Sequence, residues 1–406
     1  MATKRIPSFN SHNPATGEVA GAYPIMNAKQ VNEIVGHARN ASVQWQKLGF
    51  AGRKKVLLAW STLIIKRIDQ IAALVSLETG KPVGDAKLEV SIAVGHIGWA
   101  ARHAEEIMRT AHRAPGLLLS NMSATVQRSP LGVVGVIGPW NYPIFTPVGS
   151  IVYALAAGNT VVFKPSEYTP GVGMWLEESF NEVAPFADVL TTITGLGETG
   201  GALCTSGVDK ISFTGSTRTA KIVAAQCATT MTPVVLECGG KDPVIVAADA
   251  NLERAVDATI WSAMANAGQS CIGAERVYVD ERVADKFTEL AVELAKTIHA
   301  GAPGDGKYGP ATMPSQIKVI QSHIKVAIKD GGSCAYGGPE SVKPPFVQPV
   351  ILLDVPEDSA AMREETFGPI IIINRVKTMR EAIDLANASS YGLGANVWSK
   401  RQGKRI

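Results

Sequence analysis

Lys164 and Glu167 stand three apart in Phe163-Lys164-Pro165-Ser166-Glu167, and together they have the chemistry to hold the two hydroxyls of a ribose. A carboxylate at such a place accepts from a ribose 2′-OH and repels a 2′-phosphate. A capping pair on a surface loop reads the same way in sequence. Gly215-Ser216, in Phe213-Thr214-Gly215-Ser216, opens a predicted helix, where free N–H groups make a seat for phosphate; an ordinary Gly-Ser turn is the alternative. Cys271 closes Gly268-Gln269-Ser270-Cys271, a glycine-bounded loop between a predicted helix and a predicted strand. A lone cysteine also serves as a small buried hydrophobe. Glu237, in Glu237-Cys238-Gly239-Gly240-Lys241, follows another predicted strand, a common place for a solvated turn residue. Gly138-Pro139-Trp140-Asn141-Tyr142-Pro143 is a further turn of this kind.

The elements that must position these residues alternate. Residues 28–111 read as successive amphipathic helices, and 115–130 as a hairpin in which Leu117–Leu119 and Ala124–Val126 flank a polar turn. Strands are then expected at Val133–Ile137, Thr160–Phe163, Val189–Thr194, Lys210–Phe213 and Pro233–Leu236, with helices between them. A second run begins near Asp242: strand Val244–Val246, helix Leu252–Ala267, strand Arg276–Val279, helix Val283–Ile298. Residues 301–348 are irregular, with a helix near Gln316–Lys329; strand Ile370–Asn374, helix Met379–Ala388 and strand Ala395–Trp398 follow. Such alternation argues an α/β protein of open parallel sheets with helices on both faces, which bind ligands at the carboxyl ends of their strands. The first strand-to-helix turn lacks the GxGxxG dinucleotide fingerprint. The basic run Lys400–Ile406 reads as the opening of a helix.

Composition limits the function further. The chain has 406 residues, 46% apolar and 18% charged, which is ordinary for a globular protein of two or three domains. A net charge of +3 gives no reason to invoke nucleic acid or an anionic membrane. Five cysteines without a CxxC pair read as reduced thiols in a cytoplasm, and seven histidines without clustering give no metal site. Leu131–Phe163 carries no charge and is long enough to span a bilayer, but Pro139, Pro143, Pro147 and the glycines break it into strand, turn, helix and strand.

Taken together, these motifs resemble the aldehyde dehydrogenase superfamily. Pro139-Trp140-Asn141-Tyr142-Pro143, Lys164-Pro165-Ser166-Glu167, Phe213-Thr214-Gly215-Ser216-Thr217, Glu237-Cys238-Gly239-Gly240-Lys241, Gly268-Gln269-Ser270-Cys271 and Glu364-Glu365-Thr366-Phe367-Gly368-Pro369 recur in the family's order, and Asn13-Pro14-Ala15-Thr16-Gly17-Glu18 also fits. The resemblance implies an aldehyde dehydrogenase-like fold. Its NAD-binding domain would cover 1–112 and 131–239, its oligomerisation hairpin 113–130, and its catalytic domain 240–406. It implies NAD-dependent oxidation of an aldehyde to a carboxylic acid, with NADP as a second acceptor. Cys271 matches the nucleophile, Glu237 the base for thioester hydrolysis, and Asn141 the oxyanion donor. Ile137, Trp140, Lys164, Ser166, Glu167, Gly197, Gly215, Ser216, Glu365 and Phe367 match cofactor contacts; Glu167 favours NAD. The partners implied are a small aldehyde and further copies of the chain, as dimer or tetramer. Tyr142, Phe145 and Thr146 fall where the family's substrate tunnel begins, which implies an apolar aldehyde. Arg276 stands where many members carry Arg whatever their substrate.

Three departures from the family pattern stand out. Cys238 replaces the usual Leu beside the base, either as a small apolar residue or as a disulfide partner for Cys271. Ala220 replaces the second Gly after Phe213-Thr214. The family's Pro-Phe-Gly-Gly region and final strands do not occur, so a C-terminally incomplete chain is expected. Two other readings stay open: a CoA-acylating enzyme, which does not need a hydrolytic base, and a cofactor-binding scaffold without turnover.

Overall fold

The computed structural model describes residues 7–401. Strands β1 (Ser8–His12) and β2 (Val19–Pro24) pair, and helices α1 (Ala28–Lys47), α2 (Gly49–Lys66), α3 (Ile68–Thr79) and α4 (Val83–Met108) follow. Asn27 starts α1 with a capping box, its side chain accepting from Gln30 N–H while Gln30 answers to Asn27 N–H. Strands β3 (Ala111–Arg113) and β4 (Ala124–Val126) form an antiparallel hairpin.

The expected alternation then appears: β5 (Val133–Ile137), α5 (Phe145–Ala157), β6 (Thr160–Lys164), α6 (Pro170–Asn181), β7 (Leu190–Thr192), α7 (Gly197–Cys204), β8 (Lys210–Thr214), α8 (Thr217–Ala228) and β9 (Val234–Glu237). The sheet order is β7-β6-β5-β8-β9, every neighbour parallel. All of β6 and nearly all of β5 are buried, as befits central strands covered on both faces. Gly135 lets β5 pack closely on its neighbours: a Cβ there would sit 2.5 Å from Ile211 Cδ1, which would have to turn aside. Strand order reverses beside β5, the point at which open α/β sheets bind ligands.

A second sheet follows in sequence. Its chain runs β10 (Asp242–Val246), α9 (Leu252–Met264), β11 (Ala274–Asp280), α10 (Glu281–Ala295), α11 (Pro314–Lys329), β12 (Ser333–Tyr336), β13 (Val342–Lys343), β14 (Phe346–Val347), β15 (Val350–Leu353), α12 (Ala360–Arg363), β16 (Ile370–Val376), α13 (Met379–Asn387) and β17 (Asn396–Trp398). Six strands lie in the order β12-β15-β16-β11-β10-β17, parallel except at β12–β15. The chain divides into two compact units: one takes the described residues up to Ser11, Val19–Val75 and Ala86–Glu237; the other takes His12–Glu18, Ser76–Asp85 and the described residues from Cys238. The first holds a core that includes Trp45, Trp60, Val148, Phe163 and Phe180. The second buries Val277, Phe287 and Ile371 on one side, Tyr278, Ile324 and Ile372 on the other.

Three expectations need correction. The hairpin pairs Ala111–Arg113 with Ala124–Val126, while Leu117–Leu119 form a 3-10 turn at the tip, with Leu118 96% exposed. The helix from Leu252 ends at Met264 and not at Ala267, because Asn266 and Ala267 take left-handed backbone angles. Residues 301–348, expected to be irregular around one helix, also contain β12 and the two-residue strands β13 and β14, too short for any periodicity to reveal. Strands β1 and β2 were not legible at all: Val19–Pro24 shows no apolar alternation and stays largely exposed. The helix expected over 400–406 lies, beyond Arg401, outside the described residues. The uncharged Leu131–Phe163 run does resolve into strand, turn, helix and strand, and no helix among the described residues is long and apolar enough to cross a membrane.

Candidate active site

The carboxyl edge of the five-stranded sheet gathers ten of the residues singled out in sequence. Ile137 ends β5, and the turn after it carries Trp140 and the buried Asn141. Lys164 ends β6, followed by Ser166 and Glu167; Gly197 opens α7; Gly215 and Ser216 join β8 to α8; Glu237 ends β9. Backbone bonds tie these ends together: Gly138 N–H donates to Lys164 O at 3.0 Å, and Gly215 N–H to Glu237 O at 3.1 Å. Trp140 and Tyr168 meet edge to face at 6.5 Å.

Lys164 is not on a surface loop. It is 4% exposed, and its ammonium donates to Pro165 O at 2.9 Å. Burial pushes its pKa below the usual lysine value, against the pull of Glu167. The half-buried Glu167 accepts from Ser166 Oγ at 3.3 Å. Ser216 caps α8, accepting from Thr219 N–H at 3.3 Å, so the helix presents its first turn at the same sheet edge. Ala220 is buried on that helix. Glu237 is exposed at the end of an edge strand.

The turn that carries Asn141 leads into a helix capped from elsewhere in the chain. Helix α5 begins just after it, with no side-chain cap of its own. Glu89 of α4, 2% exposed, supplies the cap from outside: its Oε1 accepts from Ile144 N–H at 2.8 Å and Phe145 N–H at 3.1 Å. A signal existed, since Glu89 shares the buried face of α4 with Ala86, Val90, Ala93 and Ile97, and a carboxylate on an apolar stripe needs a partner. Glu89→Ala is expected to cost about 1–3 kcal/mol for each N–H left unsatisfied, read as a lower urea midpoint; Glu89→Gln, which keeps an acceptor oxygen, is expected to lose less.

In the second unit the residues that position Cys271 form a tight reversal. Helix α9 stops, and Asn266, Ala267 and Gly268 take φ of 53°, 58° and 70° in succession. Two of the three carry a Cβ, so the backbone is strained at the approach to the thiol. The Gln269 side chain, 1% exposed, holds the reversal: Nε2 donates to Asn266 O at 2.9 Å and Oε1 accepts from Thr312 N–H at 2.8 Å. Gly268 packs directly on the backbone of Gly368 and Pro369, leaving no room for a Cβ. Gly240 does the same against the Cys271 carbonyl, where a Cβ would lie 2.5 Å away.

Cys271 is half-buried, not a core hydrophobe. Burial raises its pKa above the ordinary thiol value, and Glu365 and Asp242 add to the rise, while the amides of Cys271 and Ile272 favour the thiolate. On balance these surroundings favour the neutral thiol over the thiolate. Glu365 accepts from Gly240 N–H at 3.1 Å; burial first, then the charge of Glu275, pushes its pKa up to about 7. Phe367 follows with φ 51°. Cys238 is likewise a free, half-buried thiol. Arg276 is spent inside this unit, donating to the carbonyls of Lys241, Leu385 and Ala386 at 2.9, 3.3 and 3.1 Å.

Comparison with known proteins gives a consistent picture. A family profile described as "Aldehyde dehydrogenase family" matches residues 2–405. Glutarate-semialdehyde dehydrogenase of Pseudomonas putida is 36% identical over 392 residues, 96% of this chain and 81% of that enzyme. A chloroplastic betaine aldehyde dehydrogenase of Amaranthus hypochondriacus is 35% identical over 408 residues, 98% and 81% of the two chains. Among solved structures, lactaldehyde dehydrogenase from Escherichia coli superposes with a TM-score of 0.94 at 31% identity, covering 98% of this chain and 84% of that one.

Proposed function

The chain belongs to the aldehyde dehydrogenase family, and from that premise we propose that it oxidises an aldehyde to a carboxylic acid with NAD or NADP, through a covalent adduct on Cys271. The observation that carries the reading is the Cys271 loop: a half-buried thiol held by three consecutive left-handed residues, a strain that structural duty alone does not require. A bound dinucleotide supplies one thing to this chemistry, a nicotinamide ring that accepts hydride.

The chain's own residues supply the rest. The Cys271 sulfur gives up its proton to solvent water and bonds the aldehyde carbon, and the carbonyl oxygen takes the displaced π electrons as an oxyanion. The side-chain amide of Asn141 and the backbone N–H of Cys271 donate to that oxygen. Loss of hydride from the same carbon leaves a thioester on Cys271. Glu237 takes a proton from water, which attacks the thioester and releases the acid and the thiol. Lys164 and Glu167 hold the adenosine ribose, the first turn of α8 receives the pyrophosphate, and Glu365 with Phe367 orients the nicotinamide half. The residues fit the group: a buried ammonium, a half-buried carboxylate and a capped helix start stand together at one sheet edge. Asn141→Ala is expected to lower kcat by ~10²–10³ with little change in cofactor affinity, measured by steady-state kinetics and NADH fluorescence titration.

Self-association through the hairpin is part of the same reading, supported by Leu117 and Leu118 at 90% and 96% exposure. So is a cytoplasmic setting, supported by five free thiols. The relatives' names point to aldehydes of differing charge, so the substrate panel must span apolar, carboxylate-bearing and quaternary-ammonium aldehydes. The test is reduction of NAD or NADP with that panel, with and without CoA. CoA-independent turnover supports the proposal; strict CoA dependence replaces hydrolysis by acyl transfer; dinucleotide binding without turnover on any aldehyde rejects it.

A further inference from the structure

Behind the Glu365–Phe367 turn lies a buried polar network that the reaction scheme leaves unused. Its centre is Glu275 in β11, whose side chain is 6% exposed, beside Lys241 at 1%. The Lys241 ammonium donates to Glu275 Oε2 and, at 3.1 Å, to Thr366 Oγ1. Glu275 then accepts two successive backbone N–H groups, from Thr366 at 2.8 Å on Oε2 and from Phe367 at 2.9 Å on Oε1. Gln316 Nε2 donates to Thr366 O at 2.6 Å, and His323 Nδ1 lies 3.0 Å from Thr366 Oγ1. Both backbone groups and the hydroxyl of Thr366 are thereby engaged.

What the network holds is an unfavourable backbone. Phe367 has φ 51°, a region that side chains with a Cβ seldom occupy. A turn of this kind aims consecutive N–H groups at one point, and a fixed carboxylate at that point favours it. On the far side of the turn, Glu365 bonds Gly240 N–H, and Gly240 abuts the Cys271 carbonyl. The carboxylate of Glu275 thus sets the turn from which both Glu365 and Phe367 project.

We propose that Glu275, held by Lys241, is a positioning residue of the oxidation: by clamping the Thr366 and Phe367 amides it presets Glu365 and Phe367 for the nicotinamide half of the dinucleotide. The inference rests on the reading above, in which those two residues face the cofactor. A purely structural ion pair would alter the melting temperature and leave the KM for the dinucleotide untouched.

The experiment has an arm that needs no variant. In the unmodified, cofactor-free protein the Thr366 and Phe367 amides should be protected from hydrogen exchange; exchange as fast as in an open loop overturns the proposal. The second arm uses Glu275→Gln, and also Glu275→Gln combined with Lys241→Met, because removing a buried pair together is tolerated better than stranding one charge. In the folded variant, exchange at 366–367 should quicken roughly tenfold or more, and the NADH Kd and the KM for NAD should rise roughly tenfold to hundredfold. A folded double variant with parental protection, Kd and KM overturns the proposal. Wild-type protein that binds neither NADH nor NADPH overturns the reading beneath it instead, whatever the amides do.

Discussion

Cys271→Ala is expected to abolish aldehyde oxidation, with a fall in kcat of at least ~10⁴-fold, while the dinucleotide still binds. The substitution removes one sulfur from a half-buried loop position that makes no disulfide, so the fold should hold. The three left-handed residues before it are fixed by backbone packing and by Gln269, not by the thiol. Because the resting thiol pKa is raised, the wild type should acylate faster as pH rises, as more sulfur loses its proton; the variant should show no such dependence. Mass spectrometry of an acid-quenched single turnover reads the outcome directly. The wild type should carry the acyl group on the Cys271 peptide, and the variant none. A variant that keeps near-parental turnover would remove the covalent mechanism altogether.

The second large effect is expected at Glu237. Glu237→Gln should leave acylation intact and slow deacylation, giving a burst approaching one reduced nicotinamide per chain and then a steady rate lower by ~10²–10⁴. The residue ends an edge strand, is exposed, and contributes its backbone carbonyl to Gly215 N–H; the amide side chain leaves that bond unchanged. Stopped-flow absorbance separates the two phases. Loss of the burst along with the steady rate would assign Glu237 to the first chemical step, and an unchanged steady rate would dismiss it as the hydrolytic base.

The parallel sheets could be read because their central strands are buried on both faces and their connections carry Gly and Pro. The residues at their carboxyl ends could be placed because topology dictates where such ends lie: Lys164 and Gly215 are positioned by the order of strands alone. Lys164 differs in degree, since a lysine at a strand end gives no hint that its ammonium is buried. The left-handed run at Asn266–Gly268 was hidden because nothing local in Asn266-Ala267 demands it; it is held by the Gln269 side chain and by the packing of Gly268 on Gly368, a hundred positions on. Glu275 was overlooked for a related reason. A charged pair within Ala274–Asp280 interrupts an apolar strand, but only the fold shows that its carboxylate serves two amides of a distant turn.

The contact of Gly268 with Gly368 has a practical consequence for redesign. With bare backbone on bare backbone, neither segment can absorb a shift in the other through a change of rotamer, so a side chain added at Gly268 would force the Gly368–Pro369 backbone to move. Libraries aimed at a new aldehyde scope should leave both glycines alone.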